Sequence, residues 1–264
     1  MKLTNIGASH QLIKDIKKQN FKKQQMFVID DLSVLQSKYC QQLDCEAVIV
    51  CEELAYSDSA KQCIEQYVNK SKQSYSVSKK VFESIAQKEN SAGLLAIIKK
   101  QQTKLENLKN CEFVLINDGI EIAGNLGTIF RTCDATGVDM VINTNTVANA
   151  YSEKVLHSSR GMVLKVPFVN AETNQVIKQL KQNNFNIILC ETLNGTNYFD
   201  ANYCGKIAIV IGSERFGIDK LWLQEKTQNV FIPMYGEMKS LNVGVAGSIA
   251  LYQAKMKRNG ANNK

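Results

Sequence analysis

Five nearly continuous apolar runs dominate the second half of the chain: FVLIN (113–117), VDMVIN (138–143), NIILC (186–190), IAIVIG (207–212) and VFIPM (230–234). A strand with one wet face alternates apolar and polar residues. These runs do not, and that is how strands buried on both faces of a parallel sheet read. Helical patterns at 125–136, 151–158, 172–183, 218–225 and 241–256 punctuate them. The rhythm predicts an α/β domain built on a parallel sheet.

Residues before this region carry a looser version of the pattern. Runs at 26–30, 46–51 and 94–98 read as strands with helical stretches between them, and the polar segment KKQQTKLENLKN (99–110), which suits a linker or a bridging helix, marks a boundary. The expected organisation is a smaller α/β domain over 1–100, a linker over 101–111 and a larger domain over 112–264.

Charge and composition narrow the function. Among 264 residues, 32 Lys and Arg outnumber 25 Asp and Glu, for a net charge of +7. Such an excess favours polyanionic partners, because cations that neutralise phosphates release condensed counterions. Lys14, Lys17, Lys18, Lys22 and Lys23 crowd one short stretch opposed only by Asp15, which reads equally as a solvated helix face or an RNA-contacting patch. The eight cysteines form no C-x-x-C pair and only His10 and His157 could assist them, so no metal site is expected. No apolar stretch is long enough to span a bilayer and MKLTNIGASHQLIKD lacks a signal-type core, so a cytoplasmic protein with reduced thiols is expected and no membrane partner. No G-x-G-x-x-G follows the strands at 113–117 or 207–211, which argues against a dinucleotide-dependent dehydrogenase.

In parallel α/β folds, ligands bind outside the carboxyl ends of the strands. Three loops at such positions carry unusual residues. The first, DGIEIAGNLGTIFRTCDATG (118–137), sets Asn125 as a candidate helix cap, with Arg131 six residues on. The alternative is an ordinary capped helix whose Arg131 pairs with Glu121 or Asp134. The second, GSERFG (212–217), brackets Glu214 between glycines; a carboxylate there could accept hydrogen bonds from a sugar or orient an arginine. The third, IPMYGEMKSLNVGVAGSIALYQA (232–254), places Ser240 and Asn242 before a helix start rich in small residues, which permit close backbone approach. Singly, each is explained nearly as well by a turn or a cap.

Together NLGTIFR, IGSERFG and IPMYG…SLNVGVA resemble, in order and spacing, the three motifs of the SpoU (TrmH-type) RNA ribose methyltransferases of the SPOUT superfamily. DGIEIAGNLG and HSSRG (157–161) are most similar to the branch of thiostrepton-resistance 23S ribosomal RNA methyltransferases. Residues 1–100 loosely resemble that family's ribosomal-protein L30e-like RNA-binding domain. The resemblance implies a parallel-sheet domain with a C-terminal trefoil knot, a homodimer formed through it, and S-adenosylmethionine as methyl donor. Carried onto this sequence, it implies a donor pocket of Thr192, Leu193, Asn194, Gly195, Ile211, Gly212, Ser213, Ile232 and Leu241. It makes Asn125, Arg131, Glu214, Ser240 and Asn242 the catalytic set, with Arg160 and Lys14, Lys18, Lys22 and Lys23 contacting RNA.

The implied reaction methylates a ribose 2′-hydroxyl in RNA, 23S ribosomal RNA ahead of transfer RNA, and thiopeptide resistance is one implied outcome. A guanidinium keeps its proton near neutrality, so Arg131 is expected to stabilise developing negative charge electrostatically and not to act as a base. A non-catalytic RNA-binding protein of the same fold is the competing class; it has no need for all five polar residues. Ile122-Ala123, Gly-Ser-Glu and Gly244 depart from common family patterns, but none removes a residue assigned a catalytic role.

Overall fold

In the first of two units, Met1–Gln101, strands β1 (Thr4–Asn5), β2 (Met26–Ile29), β3 (Cys45–Val50), β4 (Gln73–Ser76) and β5 (Leu94–Lys99) form one sheet in the order β1-β4-β3-β5-β2. β5 runs antiparallel to β2 and β3, and the remaining pairs are parallel. Helices α1 (Gln11–Lys17), α2 (Leu32–Leu35), α3 (Lys38–Gln41), α4 (Asp58–Lys70) and α5 (Lys79–Glu83) accompany it. The computed structural model describes residues 3–18, 21, 25–88, 91–191 and 195–262. Helix α1 begins where His10 Nδ1 accepts the Leu12 amide, and it buries Ile13 and Ile16 while Lys14, Lys17 and Lys18 face water. Lys22 and Lys23 lie outside the described residues. Ile13, Ile49, Phe82, Leu95 and Ile97 share the core of this unit.

The second unit is Gln102–Lys264. Its strands are β6 (Phe113–Asp118), β7 (Met140–Thr144), β8 (Phe168–Asn170), β9 (Asn186–Glu191), β10 (Thr196–Asn197), β11 (Ile207–Gly212) and β12 (Gln228–Phe231). They pair in the order β10-β12-β9-β11-β6-β7-β8, every pair parallel. The helices are α6 (Ala123–Thr136), α7 (Glu153–Ser158), α8 (Thr173–Gln182), α9 (Lys220–Glu225) and α10 (Val243–Asn262). On one face of the sheet Val114, Ile116, Ala208, Val210 and Leu189 pack with Val176 and Leu180 of α8 and Trp222 of α9. Helices α6 and α10 pack on each other, and α10 also meets β9 and β11. Burial on both sides is why the strands read as unbroken apolar runs.

Two details differ from expectation and a third agrees with it. Residues 105–110, expected within a polar linker or bridging helix, form a short 3-10 helix whose Leu108 is fully buried in the second unit's core with Leu105 packed against it; charged neighbours mask these apolar anchors. The last strand ends at Phe231 and not at 234, because Pro233 has no N–H to give a ladder. The small-residue helix start is explained by close crossing. A Cβ on Gly247 would stand 3.0 Å from Ile211 Cδ1, and one on Gly244 would stand 3.4 Å from Thr128 Cγ2 of α6.

Among these apolar strands runs a polar ladder. Asn117 Nδ2 donates to Asn143 Oδ1 and Asn143 Nδ2 donates to Asn170 Oδ1, each at 2.9 Å, across β6, β7 and β8. The three residues are in register, and Asn117 and Asn143 are buried. One position further, Asp118 accepts from Thr144 Oγ1, Asn145 Nδ2 and the Asp219 amide, tying β6 to the chain that follows β11.

Candidate active site

The strand order reverses direction between β6 and β11. From β6 the chain steps outward to β7 and β8, then crosses to β9 on the far side of β11. A crevice therefore opens at the carboxyl ends of β6 and β11, where doubly wound sheets bind ligands. Gly119 and Ser213 adjoin there, with a Gly119 Cβ position only 3.5 Å from Ser213 Cβ.

The loop after β11 is a closed turn. Ser213 and Gly217 exchange backbone hydrogen bonds at 3.1 and 2.9 Å, with Gly217 at φ +71°. Gly212 makes the turn possible: a Cβ on it would lie 2.3 Å from the Gly217 carbonyl carbon and 2.5 Å from the Ile218 nitrogen. The turn aims Glu214 at α6 and α10. Glu214 Oε1 accepts from Asn125 Nδ2 at 2.8 Å, Asn242 Nδ2 at 2.8 Å and the Val243 amide at 3.3 Å. Asn242 Nδ2 also donates to Asn125 Oδ1 at 3.0 Å. Three segments more than 100 residues apart at the extremes thus converge on one carboxylate.

The capping asparagine is Asn242 and not Asn125. Its Oδ1 accepts the amides of Gly244 and Val245 at the start of α10. Helix α6 begins at Ala123 with Ile122 at the cap, so Asn125 sits inside the first turn with its side chain free to join the cluster. Arg131 stands apart. At about 100° per residue, six residues put it about 120° around α6 from Asn125. It is exposed, with no hydrogen bond or ion pair among the described residues, and its expected alternative partner Asp134 is held by Lys165.

Beside this cluster lies a cavity of about 1190 Å³ whose lining includes Ile211, Gly212, Ser213, Glu214, Ile232, Ser240 and Leu241. Single-ligand sites run to about 1,000 Å³, so a ligand and part of a second reactant fit. Gly195 is not among its lining residues; a Cβ there would strike the Asn229 carbonyl oxygen at 2.6 Å, so this glycine serves the pairing of β10 with β12. Thr192, Leu193 and Asn194 lie outside the described residues. Arg160 is exposed on the turn after α7, in the left-handed region at φ +51°.

Sequence reasoning missed several wall residues, including Cys190, Glu191, Phe216, Met238 and Lys239. Their signal was position alone, since each adjoins a strand end or a motif residue already singled out. Burial, with Glu191 adding to it, pushes the Cys190 thiol up to about 11, so it stays protonated near neutrality. No group of three metal-ligating side chains occurs among the described residues.

A parallel sheet reversed at this crevice, with Asn125, Glu214 and Asn242 gathered from three ordered segments, defines a protein that takes its ligand at the carboxyl ends of β6 and β11. The SpoU rRNA methylase family model matches residues 112–252, more than half of the chain, and the chain belongs to that family. Its relatives include the Bacillus subtilis 23S rRNA (guanosine(2553)-2′-O)-methyltransferase RlmP, 26% identical over 249 residues, covering 94% of this chain and 98% of that one. The fold matches an AdoMet-bound rRNA methyltransferase from Sinorhizobium meliloti with a TM-score of 0.84 at 20% identity, over 97% of this chain and 98% of that one. It also matches the SpoU methyltransferase AviRb from Streptomyces viridochromogenes with AdoMet, at 0.83 and 17% identity, over 94% and 98%.

Proposed function

We propose that this chain transfers a methyl group from S-adenosylmethionine to a ribose 2′-hydroxyl of 23S ribosomal RNA. The observation that carries the reading is the convergence of Asn125, Asn242 and the Val243 amide on Glu214 at the mouth of the cavity. The cavity suits the donor: Ile211, Ile232, Leu241 and Ala246 offer an apolar wall for a purine, and Glu191 offers an acceptor for ribose hydroxyls. Bound there, the donor supplies an electrophilic methyl on a cationic sulfonium.

The chain's own contribution is positioning and electrostatics. Glu214 Oε1 is occupied by its three donors, which leaves Oε2 to accept from a substrate hydroxyl. Ser240 lines the same mouth and is exposed. Arg131 steadies charge developing on the 2′-oxygen. Its unpartnered, outward position supports a homodimer in which it serves the partner's site, as do the exposed Val245, Tyr252 and Met256 on α10. Residues from the segments 211–218 and 232–243 line one cavity, and in this reading the C-terminal chain forms its trefoil knot at that place.

Residues 1–100 act in this reading as the L30e-like RNA grip, with exposed Lys14 on α1 and Lys18 at its C-terminal cap available to phosphates and Arg160 as a further RNA contact. The protein works in the cytoplasm, and thiopeptide tolerance follows if the methylated nucleotide lies in the drug's site. The test is incubation with labelled donor and large-subunit or transfer RNA, followed by mapping of the modified nucleotide by mass spectrometry. A 2′-O-methyl in 23S RNA is expected. A methyl confined to transfer RNA, or none, refutes the reading.

A further inference from the structure

Two loops at the cavity mouth hold large apolar side chains in water. Phe216 is 72% exposed, Met238 73% and Tyr235 94%. Single exposed apolar residues are ordinary, but a group of them beside a ligand cavity marks a surface that something covers. Phe216 and Met238 line the same cavity from opposite loops.

The backbone of Phe216 is tied into the turn. Its amide donates to Ser213 Oγ at 2.9 Å, within the turn that Ser213 and Gly217 close. The Arg215 guanidinium lies over its ring, 5.0 Å from the centroid. Arg215 has no ion pair among the described residues, and the neighbouring carboxylate of Glu214 is turned to Asn125 and Asn242. An aromatic plane and an unneutralised cation therefore stand stacked two residues from Glu214, on a turn of fixed shape.

That combination recognises a nucleobase. Every base has a π-face, unpaired bases stack on aromatic rings and guanidinium planes, and the cation adds attraction for the adjoining phosphates. The geometry points to Phe216, backed by Arg215, as the platform that stacks the base of the nucleotide whose ribose is methylated. This rests on the RNA methyl-transfer reading above. Where the target nucleotide lies in a loop with its base unstacked, a stacking partner at the mouth replaces the contact the base lacks there.

Full-length Phe216→Ala, Phe216→Leu and Phe216→Trp, assayed with S-adenosylmethionine and large-subunit RNA, test it. Stacking on an aromatic ring is worth about 1–3 kcal/mol per base, so Ala and Leu raise KM for RNA by about 5- to 150-fold, while Trp stays near wild type. Donor affinity by calorimetry without RNA, melting temperature and molar mass by light scattering stay unchanged. Leu keeps the apolar bulk but has no π-face, so a wild-type KM for Phe216→Leu overturns the proposal. Lost donor affinity would assign Phe216 to the donor pocket, and altered mass would assign it to a contact between copies; either overturns it. If the wild-type chain methylates no RNA, the function reading fails and takes this one with it. If it does and Phe216→Ala is unaffected, only this one fails.

Discussion

Gly212→Ala tests whether the turn after β11 is the part that assembles the site. The backbone of Gly212 is not in the left-handed region, so alanine meets no conformational penalty there and the whole cost is steric. Its Cβ would sit 2.3 Å from the carbonyl carbon and 2.4 Å from the carbonyl oxygen of Gly217. Both are backbone atoms and cannot swing aside. Relief requires the turn to open by about 1 Å, the distance to ordinary van der Waals contact. That movement stretches the two Ser213–Gly217 hydrogen bonds, now 3.1 and 2.9 Å, beyond hydrogen-bonding range.

Overpacking costs about 1–3 kcal/mol and each of the two lost bonds about 0.5–1.5 kcal/mol, for a total of about 4 kcal/mol. At about 2–4 °C per kcal/mol for a unit of this size, the melting temperature of the catalytic unit falls by about 8–16 °C. Glu214 moves with the turn, and a displacement of about 1 Å in a positioning group is enough for about a 100-fold loss of turnover. Differential scanning calorimetry and a methyl-transfer assay on the same preparation read both effects. Gly7→Ala is the control, because a Cβ there meets nothing within 4 Å and Gly7 is not in the cavity lining; its melting temperature stays within about 1 °C. If Gly212→Ala matched that control in both assays, the reasoning from the turn to the site would be wrong.

Arg131→Ala is expected to reduce methyl transfer by about 100-fold or more while leaving donor affinity in calorimetry within about twofold, since Arg131 is absent from the cavity lining; retained turnover would remove its assigned role. Asn143→Leu deprives buried Asn117 of its acceptor, which costs about 1–3 kcal/mol, whereas replacing both partners of such a pair with apolar groups is nearly neutral. The single variant should therefore melt lower than the Asn117→Leu/Asn143→Leu double variant, and the reverse order would count against the ladder's role. Cys190 ionises only as pH approaches about 11. Alkylation of Cys190 is then slow at neutral pH, lags behind exposed Cys204, and accelerates as pH rises toward that value. Mass-spectrometric labelling rates that are flat with pH would contradict the burial argument.

The central strands were legible because their burial on both faces leaves a signal that needs no partner: FVLIN, NIILC and IAIVIG have no other good home. The edges were not. β10 is only Thr196–Asn197 and β8 only Phe168–Asn170, and both owe their conformation to the strand beside them. Leu108 shows the converse, one buried residue in a stretch whose charge reads as linker. In the site, order and spacing announced Asn125, Glu214 and Asn242. Which asparagine caps a helix was fixed by tertiary contacts: Ile122 takes the cap of α6 without any side-chain bond, while Asn242 caps α10 and reaches Glu214 with the same amide. Phe216 passed unnoticed because an exposed phenylalanine in a loop looks like nothing until its cavity is seen.

Uniformly apolar strands carry a hazard of their own. In a strand wet on one side, a slip by one residue turns the wrong side chains to water, and the error is costly at once. With β6 and β7 buried on both faces, a slip by two residues would bury equally oily side chains and go almost unpunished. The asparagine ladder removes that degeneracy. Sliding β7 by two positions carries Asn143 about 6.6 Å along the sheet, beyond reach of Asn117 and Asn170, and strands carboxamides in a dry interior. The ladder thus acts as a key that only one alignment of the three strands fits. Because the carboxyl end of β6 leads directly into the loop before α6, the same key sets how far Asn125 is carried toward Glu214.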